Sequence, residues 1–128
     1  MKTEIINRFN TTALAYMGDA VYEQAVREHI LMCEPGNVRK MYYMATGLVN
    51  ASAQAMIIKK LFDELSEDEQ ILVKRARNRK YTTKAKNSDP VTYKWATAFE
   101  ALIGYLYLSG DENRLKYILS RAIGIIGK

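Results

Sequence analysis

The sequence predicts a single all-α domain of about six to seven helices spanning residues 1–128. Three observations support this prediction. Apolar residues recur at intervals of three and four along most of the chain, which is the spacing of an amphipathic helix. We find no convincing run of alternating polar and apolar residues of the kind that marks a strand. Capping residues, glycine and proline separate the apolar segments, and these are the residues at which helices begin and end.

Capping residues define the first three predicted helices. Asn10 opens a run of three candidate N-caps, because a short polar side chain can accept a hydrogen bond from an unpaired backbone N–H of the first turn. Asn37 follows a Pro-Gly pair and is the expected N-cap of the second helix, and Ser52 is the expected N-cap of the third. The predicted ranges are about 13–32, 38–49 and 52–65.

The remaining helices have clearer signals. Ser66 with Glu69 three residues later is the pattern of a capping box, in which each residue bonds the backbone of the other. Asp89 followed by Pro90 predicts an N-cap and a proline in the first turn. Asp111 is the expected N-cap of the last helix. The predicted ranges are about 67–79, 90–109 and 112–124.

Composition excludes several classes of protein. A hydrophobic fraction of 48% and a charged fraction of 26% are typical of a globular protein and exclude a wholly disordered or collagen-like chain. Cys33 is the single cysteine, and with His29 it provides too few ligands for a zinc site. The amino-terminal segment lacks the apolar run of a signal peptide, and the most apolar segment, 101–108, is too short to cross a bilayer. We therefore expect a cytoplasmic protein.

The net charge of +5 is concentrated in one segment. Seven basic residues and no acidic residue lie between positions 74 and 86, whereas the rest of the chain carries 12 basic and 14 acidic residues. A local cluster of this kind favours binding to a polyanion, above all a nucleic acid. A solvated basic loop and an anionic membrane surface are the alternatives. The candidate RNA-binding residues in this basic segment are Lys74, Arg75, Arg77, Arg79, Lys80, Lys84 and Lys86.

Two isolated carboxylates lie within apolar segments. Glu100 is the only acidic residue of the fifth predicted helix, whose apolar side chains cover most of its circumference. Asp19, in the first helix, is the only acidic residue between Glu4 and Glu23, and its neighbours are apolar or small. Carboxylates that hold Mg²⁺, together with cations that contact phosphates, are the components of a metal-dependent nuclease. The alternative is that each carboxylate is half of a structural ion pair, for example with Arg27 or Lys94, and the residues alone do not decide between the two.

The segments around these carboxylates resemble the ribonuclease III family. LAYMGDAVYE, residues 14–23, resembles the signature helix of its catalytic domain, in which a Gly-Asp pair lies in an apolar helix. TAFEALIGYLYL, residues 97–108, resembles the second acidic motif, a Glu followed by Ala-Leu-Ile-Gly. The short length and the sequence KRARNRK followed by KNSD are most similar to the compact bacterial branch, Mini-ribonuclease III, which has no separate double-stranded RNA-binding domain. The resemblance covers about residues 12–123.

This resemblance implies an all-α, homodimeric endonuclease domain that cleaves double-stranded RNA with Mg²⁺, for which Mn²⁺ can substitute, and leaves 5′-phosphate products. It implies that Asp19 and Glu100 are the catalytic and metal-binding residues. Thr12, Ala15 and Thr97 stand where full-length ribonuclease III has acidic residues, as in the compact branch, and these differences leave the number of metal ions open.

Other residues receive secondary roles in this interpretation. Glu23, one helical turn after Asp19, is a candidate supporting or direct metal ligand. Tyr81 lies among the basic residues, where it is a candidate for packing against a ribose or base. We expect His29 to be structural or superficial and Cys33 to be buried or half-buried. The tyrosines at helical spacing are expected in the core or at an interface; they are Tyr16, Tyr105 and Tyr107.

The implied natural substrate is a duplex at the ends of the 23S (large-subunit) rRNA precursor, with ribosomal proteins as further candidate partners. Two other classes of protein stay open. A non-catalytic helical RNA-binding or ribosome-assembly module needs the basic segment but not the two carboxylates. A protein-interaction dimer needs neither, because its basic segment only keeps a loop solvated.

Overall fold

A computed structural model describes residue 4 and residues 8–33, 36–79 and 89–126 of the chain. These residues form six α-helices and one short 3₁₀ turn, which confirms the predicted all-α class. None of the helices in these ranges is long and apolar enough to cross a membrane. The elements are α1 (Thr11–Cys33), α2 (Val38–Val49), α3 (Ala51–Leu61), the 3₁₀ turn (Phe62–Glu64), α4 (Glu67–Asn78), α5 (Pro90–Leu108) and α6 (Glu112–Ile126).

Most helices begin at the predicted caps. The side chains of Asn10, Asn37 and Asp89 each accept a hydrogen bond from the backbone N–H three residues later, at 2.8, 3.0 and 2.9 Å. Ser66 and Glu69 form both hydrogen bonds of a capping box, at 3.2 and 2.9 Å. These bonds satisfy N–H groups that have no partner within the helix, so they fix where each helix begins.

Helix α3 begins and ends earlier than predicted. Its N-cap is Asn50 rather than Ser52, because Asn50 Oδ1 accepts the backbone N–H three residues later at 2.8 Å. Asn50 Nδ2 also donates to the carbonyl oxygen of Thr46 at 3.1 Å. One residue therefore ends α2 and begins α3. The expected continuation to Leu65 is also wrong, since the backbone tightens into the turn Phe62–Glu64 and becomes extended at Leu65.

Helix α5 is the central element, and α1, α3, α4 and α6 pack around it. Ten of its residues between Ala96 and Leu106 are buried, as its apolar circumference predicts. The ring of Phe99 meets the ring of Tyr22 on α1 edge-on, with centroids 4.9 Å apart. Within this buried stretch Glu100 is half-buried, and it is the only carboxylate there.

The crossing of α1 and α5 depends on two glycines. A Cβ atom at Gly18 would overlap the carbonyl oxygen of Glu100, and one at Gly104 would overlap the carbonyl oxygen of Leu14. Both obstacles are backbone atoms, which cannot rotate away as a side chain can. Glycine therefore permits an approach that any larger residue would prevent. The crossing also brings Asp19, the neighbour of Gly18, to Glu100.

The structure shows which of the tyrosines at helical spacing are buried, and whether Cys33 is buried. Tyr105 is in the core, whereas Tyr16 and Tyr107 are 83% and 51% exposed, which leaves an interface as their predicted role. Cys33 is exposed, so the expectation that it is at least half-buried is wrong. It lies in the last turn of α1, beyond the part of that helix that packs on the core, with its Sγ 3.8 Å from His29 Nε2.

We predict that Gly18→Ala and Gly104→Ala each lower the free energy of unfolding by about 3 kcal/mol or more, because the added methyl group forces the two helices apart. Urea denaturation of each variant measures this change.

The matched control is Gly47→Ala on α2, where a Cβ meets no atom within 4 Å. Replacing glycine within a helix by alanine there is expected to stabilise by up to about 1 kcal/mol. Similar losses of stability at all three positions would show that the α1–α5 crossing has no special dependence on glycine.

Candidate active site

Asp19 and Glu100, far apart in the sequence, meet at the crossing of α1 and α5. Their side chains are within hydrogen-bonding reach of each other. Asp19 is exposed on α1, and Glu100 is half-buried on α5. The two carboxyl groups proposed from the sequence therefore form one site with an open side toward solvent.

Burial and the neighbouring acid together determine the protonation of Glu100. The pKa of Glu100 is raised to about 9, mainly by burial and further by the hydrogen bond and the negative charge of Asp19. Near neutral pH and without a cation, Glu100 therefore retains its proton. Two ionised carboxylates at this distance repel each other, and a positive charge between them removes that repulsion. The pair is therefore suited to a cation.

A third side chain reaches the site from α3. Gln54 is 3% exposed and lies within hydrogen-bonding reach of Glu100, where its amide partly opposes the rise in the pKa of Glu100. Sequence reasoning missed Gln54. A signal was present, because Gln54 is the polar member of an otherwise apolar buried face on α3, formed with Ala53, Ala55, Ile57, Ile58 and Leu61.

The structure does not support the ion-pair interpretation of the two carboxylates. Arg27 pairs instead with Glu23, with its Nη2 3.2 Å from Glu23 Oε1 on the exposed side of α1. Within the described ranges, no salt bridge reaches Asp19 or Glu100 from Lys94 or any other basic residue. Among the described residues, the two acids are therefore neighbours of each other rather than halves of structural ion pairs.

The donor set fits a hard divalent cation. Mg²⁺ is usually held by one or two carboxylates, while waters and substrate phosphates complete its coordination. Asp19 and Glu100 supply two carboxylates at the solvent boundary. Among the residues that the structure describes, no cluster of three or more Asp, Glu, His or Cys side chains is arranged for a metal. The site therefore matches a cation that leaves much of its coordination to water and phosphate.

The described part of the basic segment covers the end of α4. Lys74 Nζ lies 5.6 Å from the centroid of the Phe62 ring, and Arg77 Cζ lies 5.0 Å from that of Trp95. Arg75 and Arg79 are exposed. The other predicted RNA-binding residues and the tyrosine among them fall outside the described residues; they are Lys80, Lys84, Lys86 and Tyr81.

Two further lysines, which sequence reasoning did not select, extend this positive surface onto α3. Lys59 Nζ lies 5.6 Å from the centroid of the Trp95 ring, which Arg77 also contacts. Trp95 thus joins the basic end of α4 to Lys59. The adjoining cleft is lined by Ser52, Ala55, Met56, Lys59, Lys60 and Thr92.

Comparisons with known proteins agree with this arrangement. Residues 12–111 match the Ribonuclease III domain family. The chain is 43% identical over 120 residues to Mini-ribonuclease 3 of Brevibacillus brevis, with 94% of this chain and 90% of that protein covered. It is 41% identical over 120 residues to Mini-ribonuclease 3 of Streptococcus pneumoniae, with 92% and 94% covered.

A solved structure has the same fold. The crystal structure of a protein from Fusobacterium nucleatum superimposes with a TM-score of 0.80 at 34% identity, and the match covers 88% of this chain and 87% of that one. Most of the helical core is therefore common to the two chains. The chain belongs to the Mini-ribonuclease 3 branch of the ribonuclease III family, a family of endoribonucleases.

Proposed function

We propose that this chain hydrolyses phosphodiester bonds in both strands of double-stranded RNA, with Mg²⁺ or Mn²⁺ held by Asp19 and Glu100. The observation that carries this proposal is the meeting of the two carboxyl groups at an open edge of the helical core. A divalent cation bound there supplies charge neutralisation for a phosphate and lowers the pKa of an attacking water. We expect products with a 5′-phosphate and a 3′-hydroxyl, as in the family.

The two acids have different tasks in this proposal. Glu100 stands on the central helix, so its backbone is fixed by the surrounding core. Asp19 is exposed and keeps the other side of the site open to water and to the RNA phosphate. Glu23 lies one turn further along α1 and is held by Arg27, and we assign it a supporting role at the rim.

The basic segment is proposed to hold the RNA backbone. An A-form duplex hides its base edges in a deep, narrow groove, so proteins recognise it mainly through phosphates and 2′-hydroxyls. Arg75 and Arg79 are exposed, as such contacts require. Lys59 enlarges the same positive surface through Trp95 and Lys60 lines the adjoining cleft, so we include both lysines in the proposed RNA interface.

Cleavage of both strands calls for two sites, and we propose that a homodimer provides them. Tyr16 is 83% exposed and lies one turn before Asp19 on the same side of α1. A large aromatic side chain left in solvent beside the site is a natural contact for a second copy of the chain. The dimer would then place two pairs of carboxylates on one duplex.

The proposed natural substrate is a duplex at the ends of the 23S rRNA precursor in the cytoplasm, with ribosomal proteins as further proposed partners. This finer assignment rests on the resemblance to the compact branch. The alternative function, a non-catalytic RNA-binding or ribosome-assembly module, keeps the basic surface and gives the two acids no chemical task.

We predict that Asp19→Asn and Glu100→Gln each abolish Mg²⁺-dependent shortening of a long RNA duplex while duplex binding persists, since both changes remove a carboxylate from the cation site. Gel analysis of cleavage with Mg²⁺ and with EDTA measures the effect. Glu28→Gln removes a carboxylate from the exposed side of α1, and this control variant should cleave normally. Binding without cleavage in the wild type would instead favour the RNA-binding module.

The protonation of Glu100 predicts how stability depends on pH without metal. Its pKa is 4.5 in the unfolded chain and about 9 in the folded one, so between these values the folded chain retains a proton that the unfolded chain has lost. Stability should therefore fall as pH rises through this range. In EDTA, we expect Glu100→Gln to flatten this fall and to exceed the wild type by roughly 2 kcal/mol at pH 8. Urea denaturation at pH 5 and pH 8 tests this, and parallel changes in both proteins would refute it.

Salt dependence tests the proposed RNA interface. The double variant Arg75→Ala, Arg79→Ala should bind duplex RNA more weakly in EDTA, and the slope of log affinity against log salt should become shallower by about 1 for each phosphate that is no longer contacted. Arg39→Ala on α2 removes a charge outside the basic segment and should leave that slope unchanged. Equal slopes in the double variant and the wild type would exclude Arg75 and Arg79 from the interface.

A further inference from the structure

Gln54 is a polar side chain in a place where polarity is costly. It is 3% exposed, and its neighbours on the same face of α3 are alanine, isoleucine and leucine. A buried amide without a partner loses the hydrogen bonds that water would give it, and this loss destabilises the folded chain. Glu100, on the helix that α3 packs against, lies within hydrogen-bonding reach of this amide. The carboxyl group of the site is therefore the partner that offsets this loss.

The corner between α2 and α3 fixes the position of Gln54. Asn50 caps the first turn of α3 and at the same time bonds the last turn of α2. The hydroxyl of Tyr22 on α1 donates to the carbonyl oxygen of Leu48 at 2.8 Å, in the core. Because Tyr22 lies one turn after Asp19, the helix that carries one carboxylate also holds the corner that carries Gln54.

We propose that Gln54 is a positioning residue that holds the Glu100 carboxylate toward Asp19 by donating an amide hydrogen bond, and so prepares the pair for a divalent cation. The proposal rests on the proposed function, because it assumes that this pair binds the cation. An amide suits the task, since it donates to a carboxylate without adding a negative charge to a half-buried site. A purely structural glutamine would affect folding but not cation binding.

The test is a titration with Mn²⁺ that needs no RNA, in which electron paramagnetic resonance measures the free ion. Gln54→Met keeps the length of the side chain and removes its donor. We expect this variant to bind Mn²⁺ about 10- to 100-fold more weakly, as for other groups that orient a metal ligand, while its melting temperature without metal stays close to that of the wild type. Single-turnover cleavage should need a correspondingly higher Mg²⁺ concentration.

The matched control is Gln70→Met on α4. Gln70 is a half-buried glutamine whose Nε2 donates to the carbonyl oxygen of Phe62 at 2.8 Å. This hydrogen bond does not involve Asp19 or Glu100. Its replacement should leave the Mn²⁺ affinity unchanged. Equal Mn²⁺ affinity in Gln54→Met and the wild type would overturn the proposal.

Three further outcomes are distinguishable. If Gln54→Met does not fold, Gln54→Asn retains an amide that is one methylene shorter; weaker Mn²⁺ binding then supports the proposal and unchanged binding overturns it. If the wild type cleaves duplex RNA while the glutamine variants keep full Mn²⁺ affinity, only the role of Gln54 fails. If the wild type binds Mn²⁺ through Asp19 and Glu100 but cleaves no duplex, the proposed function fails, and the titration still decides the role of Gln54.

Discussion

The backbone contact between α1 and α5 at Gly18 and Gly104 is the constraint on which the rest of the structure depends. It determines how close the two helices lie, and the edge-on pair of Tyr22 and Phe99 fills the space beside it. It also determines how close the two acidic side chains come, because Asp19 follows Gly18 directly. Core packing and site geometry are therefore consequences of the same contact.

The site opposes the stability that this packing provides. An acid next to another acid and partly withdrawn from water is held in its protonated form, at a cost that grows with pH. The surrounding apolar stretch of α5 tolerates this because it is buried on all sides by other helices. Gln54 gives Glu100 a neutral hydrogen-bond donor. A basic side chain at this position would instead neutralise the carboxylate and take the place of the cation. The arrangement is one in which a functional requirement lowers stability locally, while the core compensates for it.

The sequence was informative where the physics is local, and less so where partners are distant. The capping residues at Asn37, Ser66 and Asp89 were predictable because each bonds its own first turn. The N-cap of α3 was not predictable in this way. Asn50 takes this position instead of Ser52 because it also bonds the last turn of α2. The isolation of Glu100 was visible in the sequence, but its contact with Gln54 was not, because an amide in an apolar helix does not reveal its partner. The meeting of the two acids was expected from the family resemblance rather than from spacing.

The shared residue between α2 and α3 restricts how chains of this kind can vary in length. Since Asn50 ends one helix and begins the next, an inserted residue there would separate its two hydrogen bonds. An insertion within the first turn of α3 would also turn Gln54 by about 100° relative to that cap, given 3.6 residues per turn, and move it away from the core. Insertions and deletions in related chains should therefore avoid this corner and collect at connections that hold no side chain of the site, such as the one at Gly110 between α5 and α6.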